Sequence, residues 1–415
     1  MQILKAFKWL YPGMWVKRWI ALVIFGIIMI SMGFVMVLLE ERPEHKTISG
    51  VIIIVGIIAV VTGVKRIIKS VVTIFLPERE GELVDKVFQK RILERGLRVV
   101  AIGGGTGLSM LLHGLKEHTS NITAIVTVAD DGGSSGRLRQ DFGVLPPGDI
   151  RNCLVALADA EPLMRNLFQF RFEEGSELKG HSFGNLFITA MTKVTGDFDA
   201  AIRESSKVLA IRGRVLPSTL DKVTLAADHM DGSKSFGESK IAEAKSPVKK
   251  VYLAPRTCQP THEAVEAIRK ADVIILGPGS LYTSIIPNLL VEGISKEILN
   301  SKAVKIYICN VMTQRGETDG YRASDHLRSI EEHSRPGIVD YCVVNTAKVS
   351  DGMLEKYKLE GAYPVLADID ALKTRCKVVE DDLISTKDFV RHNAARLAKV
   401  TIDLVLNARK DKTQS

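Results

Sequence analysis

Cysteine is scarce in this 415-residue chain: Cys153, Cys258, Cys309, Cys342 and Cys376 lie far apart, with no CxxC pair among them. An odd, dispersed set excludes a disulfide framework and a cysteine-based structural zinc site, and fits a reducing compartment. Aromatic residues make up only 6% of the chain, and no Lys/Arg-rich run is interleaved with them. Nothing here tracks a nucleic-acid backbone, so nucleic acid is not an expected partner. Charge of one sign is in small excess, +8 at pH 7, and part of it flanks apolar N-terminal segments. The familiar phosphate-binding templates are missing too. GxGxxG requires glycine where Leu108 or Met110 stands, and the P-loop requires GK[ST], whereas no lysine follows Gly107. No Ser-His-Asp constellation can be argued from spacing.

Long uncharged runs, by contrast, are present. Ile20 to Leu39 is apolar throughout and matches the roughly 20 residues needed to cross a hydrocarbon core. A second run, Ile48 to Val64, carries Gly50, Gly56 and Gly63, which let membrane helices approach closely. The polar link Glu40 to Thr47 is too short for a domain, so residues 1–70 are expected to form a transmembrane helical hairpin, with spans at about 19–40 and 48–64. A signal peptide fits less well, because a second span follows and no small-residue cleavage site stands out. A pair of buried core helices is the remaining alternative. Lys5, Lys8, Lys17 and Arg18 precede the first span, and Lys65, Arg66 and Lys69 follow the second, while the link mixes Arg42 and Lys46 with Glu40, Glu41 and Glu44. The positive-inside rule then puts the N-terminus and the main domain in the cytoplasm of a multi-pass inner or plasma membrane protein. Residues 71–97 are charged and read as a connector.

From residue 98 to about 380 the pattern is that of an α/β domain. RVVAI, NITAIVTVADD, VKKVYLA, ADVIILG, VKIYICN and VDYCVVN are short apolar runs separated by helical patterns such as THEAVEAIRK. Such alternation predicts a Rossmann-like, doubly wound, mainly parallel sheet, whose ligands bind at the carboxyl ends of the strands. The segment 381–415 is expected to hold a C-terminal amphipathic helix, Leu383 to Leu406, and a polar tail. That helix packs on the sheet or on a second copy of the chain, so a homodimer is one expectation.

Candidate ligand contacts gather at the predicted strand ends. Gly103, Gly104, Gly105, Thr106 and Gly107 follow the first strand and open a helix, an arrangement suited to a phosphate. Asp130 and Asp131 end the second strand, where an acid can bind a ribose hydroxyl or hold a divalent cation, Mg2+ being the natural choice. Gly132, Gly133, Ser134 and Ser135 add backbone and hydroxyl donors, and Arg137 and Arg139 add charge for an anion. Asp149, as N-cap or ligand contact, and Asn152 enter a helix after Pro146-Pro147-Gly148, and His181 and Asn185 flank another helix start. Gly277, Gly279 and Ser280 repeat the first loop's logic, and Asn310, Thr313 and Gln314 follow a later strand. No catalytic residue is singled out.

Taken together, AIGGGTG, ADDGGSSGRLR, PPGDIRNCL, HSFGNL, LGPGSLYTSIIPNLL and CNVMTQRGET resemble the YvcK-like gluconeogenesis factors, a branch of the 2-phospho-lactate transferase superfamily. The resemblance runs from about Arg98 to the region of Leu372. It implies a Rossmann-like domain, binding of UDP-sugars such as UDP-N-acetylglucosamine, and a role in cell shape and wall synthesis on gluconeogenic carbon. The transferase relatives move a phospholactyl group from a nucleotide diphosphate to a deazaflavin precursor with a divalent cation. Features similar to their nucleotide side stand at Gly103–Gly107 and Asp130–Asp131, whereas HSFGNL differs from their acceptor-side signature. A membrane-tethered nucleotide-sugar sensor, a metal-dependent transferase and a scaffold with a vestigial pocket are thus the competing expectations.

Overall fold

The structure, a computed structural model, describes residues 16–39, 43–75, 91–175, 177–385 and 390–414. It divides into two compact units, Met1–Lys90 and Arg91–Ser415.

In the first unit α1 (Val16–Leu39) and α2 (Pro43–Phe75) form an antiparallel hairpin. The second helix is longer than the apolar run: it opens on Pro43, a favoured first-turn residue, inside the expected link, and continues into the expected connector. Residues 40–42 of the link and 76–90 of the connector lie outside the described residues. Small residues set the packing. A Cβ built on Gly26 would stand 2.7 Å from the Gly56 carbonyl oxygen, one on Gly56 2.8 Å from that of Gly26, and one on Gly63 2.6 Å from Val23. Gly33 meets Ile53 in the same way, and Ser49 is fully buried. At the open end the Arg66 guanidinium lies over the Trp19 ring. The outer faces carry Ile24, Phe25, Ile28, Met32, Ile54 and Ile58, all exposed. Lys17–Leu39 and Lys46–Ser70 are long and apolar enough to cross a membrane by length and composition.

The second unit is built on strands β1 (Val99–Gly103), β2 (Ile122–Val126), β3 (Arg214–Pro217), β4 (Thr224–His229), β5 (Lys234–Phe236), β6 (Val248–Ala254), β7 (Val273–Leu276), β8 (Val304–Ile308), β9 (Tyr341–Asn345), β10 (Lys377–Asp381), β11 (Ile384–Ser385) and β12 (Arg391–His392). Seven of them form one sheet in the order β10-β9-β8-β7-β1-β2-β3, and every neighbouring pair is parallel. The central strands β1, β2 and β7 are buried at every position, which is why they read as unbroken apolar runs. This is the doubly wound parallel sheet that the strand–helix alternation predicts.

Particular elements differ from expectation. VKKVYLA is β6, but it belongs to a separate antiparallel sheet, β5-β4-β6. Its exposed Lys249 and Lys250 explain this, since a central parallel strand has no solvated face for them. The edge strands β3 and β10 were not anticipated. β10 is half exposed and ends in Glu380 and Asp381, so its apolar signal is short. The C-terminal helix, α8 in the numbering that follows, spans Ala394–Gln414 and thus starts later and ends later than expected. Its late start follows from the β11–β12 pairing upstream and from Asn393, whose side chain accepts the Arg396 N–H at its first turn.

Six helices between β1 and α8 frame the site: α3 (Gly105–Leu115), α4 (Gly133–Phe142), α5 (Gly148–Leu157), α6 (Phe183–Thr195), α7 (Glu238–Glu243) and the short Ile286–Leu290 turn, which is left unnumbered. α8 covers α3: Leu397, Ala398 and Val405 are buried, and Gly114 of α3 sits directly on the Ala394 carbonyl. Arg409 of α8 and Arg98 beside β1 both pair with Asp272, at 2.6 and 2.8 Å. Partial burial opposes ionisation of Asp272, but the hydrogen bonds from Arg98 and Arg409 prevail and draw its pKa down to about 2.

Gly114→Val forces a side chain into the Ala394 backbone and is expected to destabilise the full chain by about 1–3 kcal/mol in urea unfolding. Gly352→Ala, where a Cβ meets nothing, is expected to be neutral or slightly stabilising in the same measurement.

Candidate functional site

The chain enters the sheet at β1, steps to β2 and β3 on one side, and later returns through β7 on the other side of β1. The loops leaving β1 and β7 therefore diverge and open a crevice at the carboxyl edge, the place where open α/β sheets bind ligands. The loop after β1 carries Gly104, extended and without a side-chain cap, at the N-terminus of α3. The first N–H groups of α3 and its positive end thus face the crevice. Gly105 has φ +64°, which favours glycine. Gly107 allows the two loops to touch, since a Cβ there would stand 2.6 Å from the Pro278 carbonyl oxygen.

The second loop is clamped from below. Asn310 donates to the Gly279 carbonyl at 2.8 Å and accepts the Gly279 N–H at 3.3 Å, while Gln314 donates to the Ser280 hydroxyl at 2.6 Å. A π-helical turn follows at Leu281–Ile285, a device frequent at functional sites. Between the loops lies a cleft of about 470 Å³, lined at one end by Gly104–Gly107, Gly279 and Ser280 and at the other by Met312, Tyr357 and Val390. It thus offers a polar, donor-rich end and an apolar end, the usual composition of a small-molecule pocket. His392 on its wall is buried, and burial pushes its pKa down to about 4, so it is a neutral imidazole at pH 7.

Four carboxylates lie behind the glycine loop. Asp149, in the first turn of α5, accepts the Gly105 N–H and occupies the space that a Cβ on Gly104 would take. Burial, with Asp130 nearby, pushes it up to about 7. Asp130 accepts the Gly132 N–H at 2.9 Å and bonds the Ser135 hydroxyl; burial is the main reason its pKa is raised. Glu238 and Glu317 both bond Thr283 of the π-helical turn. Burial pushes Glu317 up to about 7, and burial together with Asp130, Asp149 and Glu317 pushes Glu238 up to about 9. At neutral pH Glu238 holds its proton, while Asp149 and Glu317 sit at the point where a nearby cation or a proton decides their charge.

The structure brings the expected residues together in two groups. Gly104, Gly105, Thr106, Gly107, Gly279, Ser280, Asn310 and Thr313 line the cleft. Asp130, Ser134, Ser135, Arg137, Asn152, His181 and Asn185 instead gather on the β2 side, where Ser134 meets His181 at 3.1 Å and Asn185 reaches Ser135 at 3.5 Å. Gly103 ends β1, Gly277 follows β7, and neither lines the cleft. Thr313 is engaged by Tyr363 on both its N–H and its hydroxyl. Asp149 follows the N-cap of α5, Pro147, and so is not the cap itself. Arg139 holds the Val223 carbonyl and Thr224. Asn152 accepts from Arg151 at 2.7 Å.

Asp130 and Asp131 do not converge as a pair of metal ligands would. Asp131 turns away to accept the Ser239 N–H of α7 at 2.9 Å and rests on Gly237. Among the described residues no group of three or more His, Cys, Asp or Glu can hold a metal ion. A divalent cation beside Asp130 or Asp149 therefore needs oxygens from its ligand's phosphates and from water, the usual habit of Mg2+. Glu238, Glu317 and Arg171 were not among the expected residues. Glu317 stands inside the MTQRGET stretch, and its place beside Thr313 and Gln314 was the available signal; Glu238 carries none.

Comparison with known proteins follows the same outline. The family model for 2-phospho-L-lactate transferase CofD matches residues 99–384. A gluconeogenesis-factor homologue from Nostoc sp. is 46% identical over 420 residues, covering 95% of this chain and 92% of its own length. The gluconeogenesis factor of Bacillus subtilis is 50% identical over 310 residues, covering 74% of this chain and 98% of its own. A crystal structure from Bacillus halodurans, a member of the upf0052 family, is 52% identical with a TM-score of 0.72, over 74% of this chain and 98% of that one.

The raised carboxylates make a pH prediction. A folded-state pKa above the unfolded value means that the native state binds more protons, so stability falls as pH rises from the unfolded pKa to the folded one. For Asp149 that window runs from 3.8 to about 7, and for Glu238 from 4.5 to about 9. Within its window each group is expected to contribute about 1.4 kcal/mol of lost stability per pH unit at most. The full chain in detergent should therefore unfold at lower urea at pH 8 than at pH 6, and Glu238→Gln should flatten that dependence.

Proposed function

The chain belongs to the gluconeogenesis-factor family of the CofD-like superfamily, and from that premise we propose that it is a membrane-tethered regulator that binds a nucleotide-sugar, a UDP-sugar foremost. The ligand lies with its diphosphate on the glycine loop and the α3 N-terminus and its less polar part toward Met312, Tyr357 and Val390. The observation that carries this reading is the start of α3, whose N-cap Gly104 has no side chain to close it, opening into a cleft whose two walls are glycine loops. Anions are favoured there by free N–H groups and by the helix dipole together. Sensing of such a ligand is taken to serve cell shape and wall synthesis on gluconeogenic carbon.

The anchor is α1–α2. Its support is the pair of apolar outer faces, with Lys17 and Arg18 at the start of α1 and Lys65, Arg66 and Lys69 near the end of α2. Since the hairpin is antiparallel, these cations share one end, which the positive-inside rule assigns to the cytoplasm. Alkaline extraction of cell membranes is expected to leave the full chain in the pellet and to release a fragment starting at residue 91.

A second reading, transfer of a phospholactyl-type group with Mg2+, is favoured by the buried Asp130 and Asp149 carboxylates beside the loop. Mg2+ would neutralise charge on the ligand's phosphates there, with Asp130 and Asp149 as the protein's contribution.

Calorimetry on the full chain in detergent separates the two. Micromolar binding of UDP-N-acetylglucosamine or UDP-glucose, weakened at least thirtyfold in Gly105→Glu and leaving the sugar nucleotide intact, supports the regulator. Magnesium-dependent binding of GDP without affinity for any uridine nucleotide replaces it with the transferase reading.

A further inference from the structure

The β2-side group has a composition that the cleft does not explain. Arg137 donates to the Lys179 carbonyl at 2.8 Å, Arg171 to the Gly180 carbonyl at 2.5 Å, and Arg151 to the Ser182 hydroxyl. Three guanidiniums thus converge on the segment Lys179–Ser182. Among the described residues none of them has a carboxylate within ion-pair distance. Neutral carbonyls and a hydroxyl satisfy some of their N–H groups but balance none of their charge. The Arg151 Nε has no partner at all.

Further donors point the same way. The N-terminus of α4, a ten-residue helix, has no side-chain cap, and Ser134 and Ser135 stand in its first turn. Ser134 meets the His181 ring at 3.1 Å. Asn185, only 2% exposed, lies at the start of α6 against Ser135, and its Oδ1 lacks a partner. The orientation of an amide is assigned from its neighbours, and the reversed amide presents an open N–H donor here. A buried amide with an unmet hydrogen bond is costly unless something fills the space.

We propose that Arg137, Arg151 and Arg171, with His181, Asn185 and the α4 N-terminus, form a second oxyanion site that takes the phosphoryl group of a small molecule bound together with the nucleotide. A carboxylate is satisfied by one guanidinium fork, whereas three forks and a helix N-terminus match the charge and the three terminal oxygens of a phosphate monoester. The site is separate from the glycine loop: none of the three arginines lines the cleft, and Asp149 and Asp130 stand between. Asp149 lies against Gly104 on one side, and Asp130 against Ser135 and Gly148 on the other. In their ionised forms these two carboxylates oppose a single polyanion stretched across both sites.

The test is calorimetric titration of inorganic phosphate, and of glycerol 3-phosphate, into the full chain saturated with UDP-N-acetylglucosamine. Wild-type protein is expected to bind both probes in the millimolar range. Arg171→Gln, an exposed position, should weaken them at least tenfold while nucleotide affinity stays within twofold, and Arg171→Lys should recover part of the loss. Phosphate alone binding, without glycerol 3-phosphate, assigns the site to free phosphate and overturns the small-molecule ligand. No probe binding to the saturated protein, or equal binding in Arg171→Gln, overturns the site itself. Should no nucleotide bind, the function proposed above fails, and the same titration of wild type against Arg171→Gln without nucleotide still decides this one.

Discussion

Two loops touch where neither has room for a Cβ, and the geometry of the site depends on that contact. Gly107 lies on the Pro278 carbonyl, Gly104 on the Asp149 carboxylate, and Asn310 holds Gly279 from below. Because β1 and β7 are neighbours that run parallel, their loops leave the sheet side by side, and only small residues let them close to backbone distance. The α3 N-terminus then opens on the cleft, with Asp149 behind it holding the Gly105 N–H. Bulk at Gly107 would part the two walls, and the donors would lose their common focus.

Charge is distributed with equal economy across the second unit. The acidic groups are inside, behind the glycine loop, where burial, with repulsion added at Asp149 and Glu238, pushes their pKa values up into or above the neutral range. The positive groups of the β2 side are partly outside, on the far flank of the same acids. A phosphate placed on the loop would meet helix N–H groups in front and neutralisable acids behind. That layering would couple proton uptake to anion binding, because each ionised acid opposes an anion close by.

How much of this was legible in the sequence follows from burial. The central strands β1, β2 and β7 declare themselves because both faces are covered, and the glycine loops because steric need leaves a compositional trace. The edge strands β3 and β10 were hidden because half-covered strands admit charge. Consecutive acids such as Asp130 and Asp131 look like a strand-end pair on paper, yet β2 stops at Val126, and in the loop that follows one of them turns away to serve α7. Glu238 reaches the acid group from the start of α7, and Arg171 reaches back to the Gly180 carbonyl; proximity created by folding has no local pattern to read.

The hairpin's glycines bear on how the protein associates. Gly26, Gly33, Gly56 and Gly63, with Ser49, all face the partner helix, and only Gly50 among the hairpin's described glycines meets nothing. The outer surface of the hairpin is left mostly to large apolar side chains such as Ile24, Phe25, Ile28, Met32, Ile54 and Ile58. Such a hairpin commits its small residues to its own pairing: were it to lie in a bilayer, the two helices would move as one body, held by close glycine contacts.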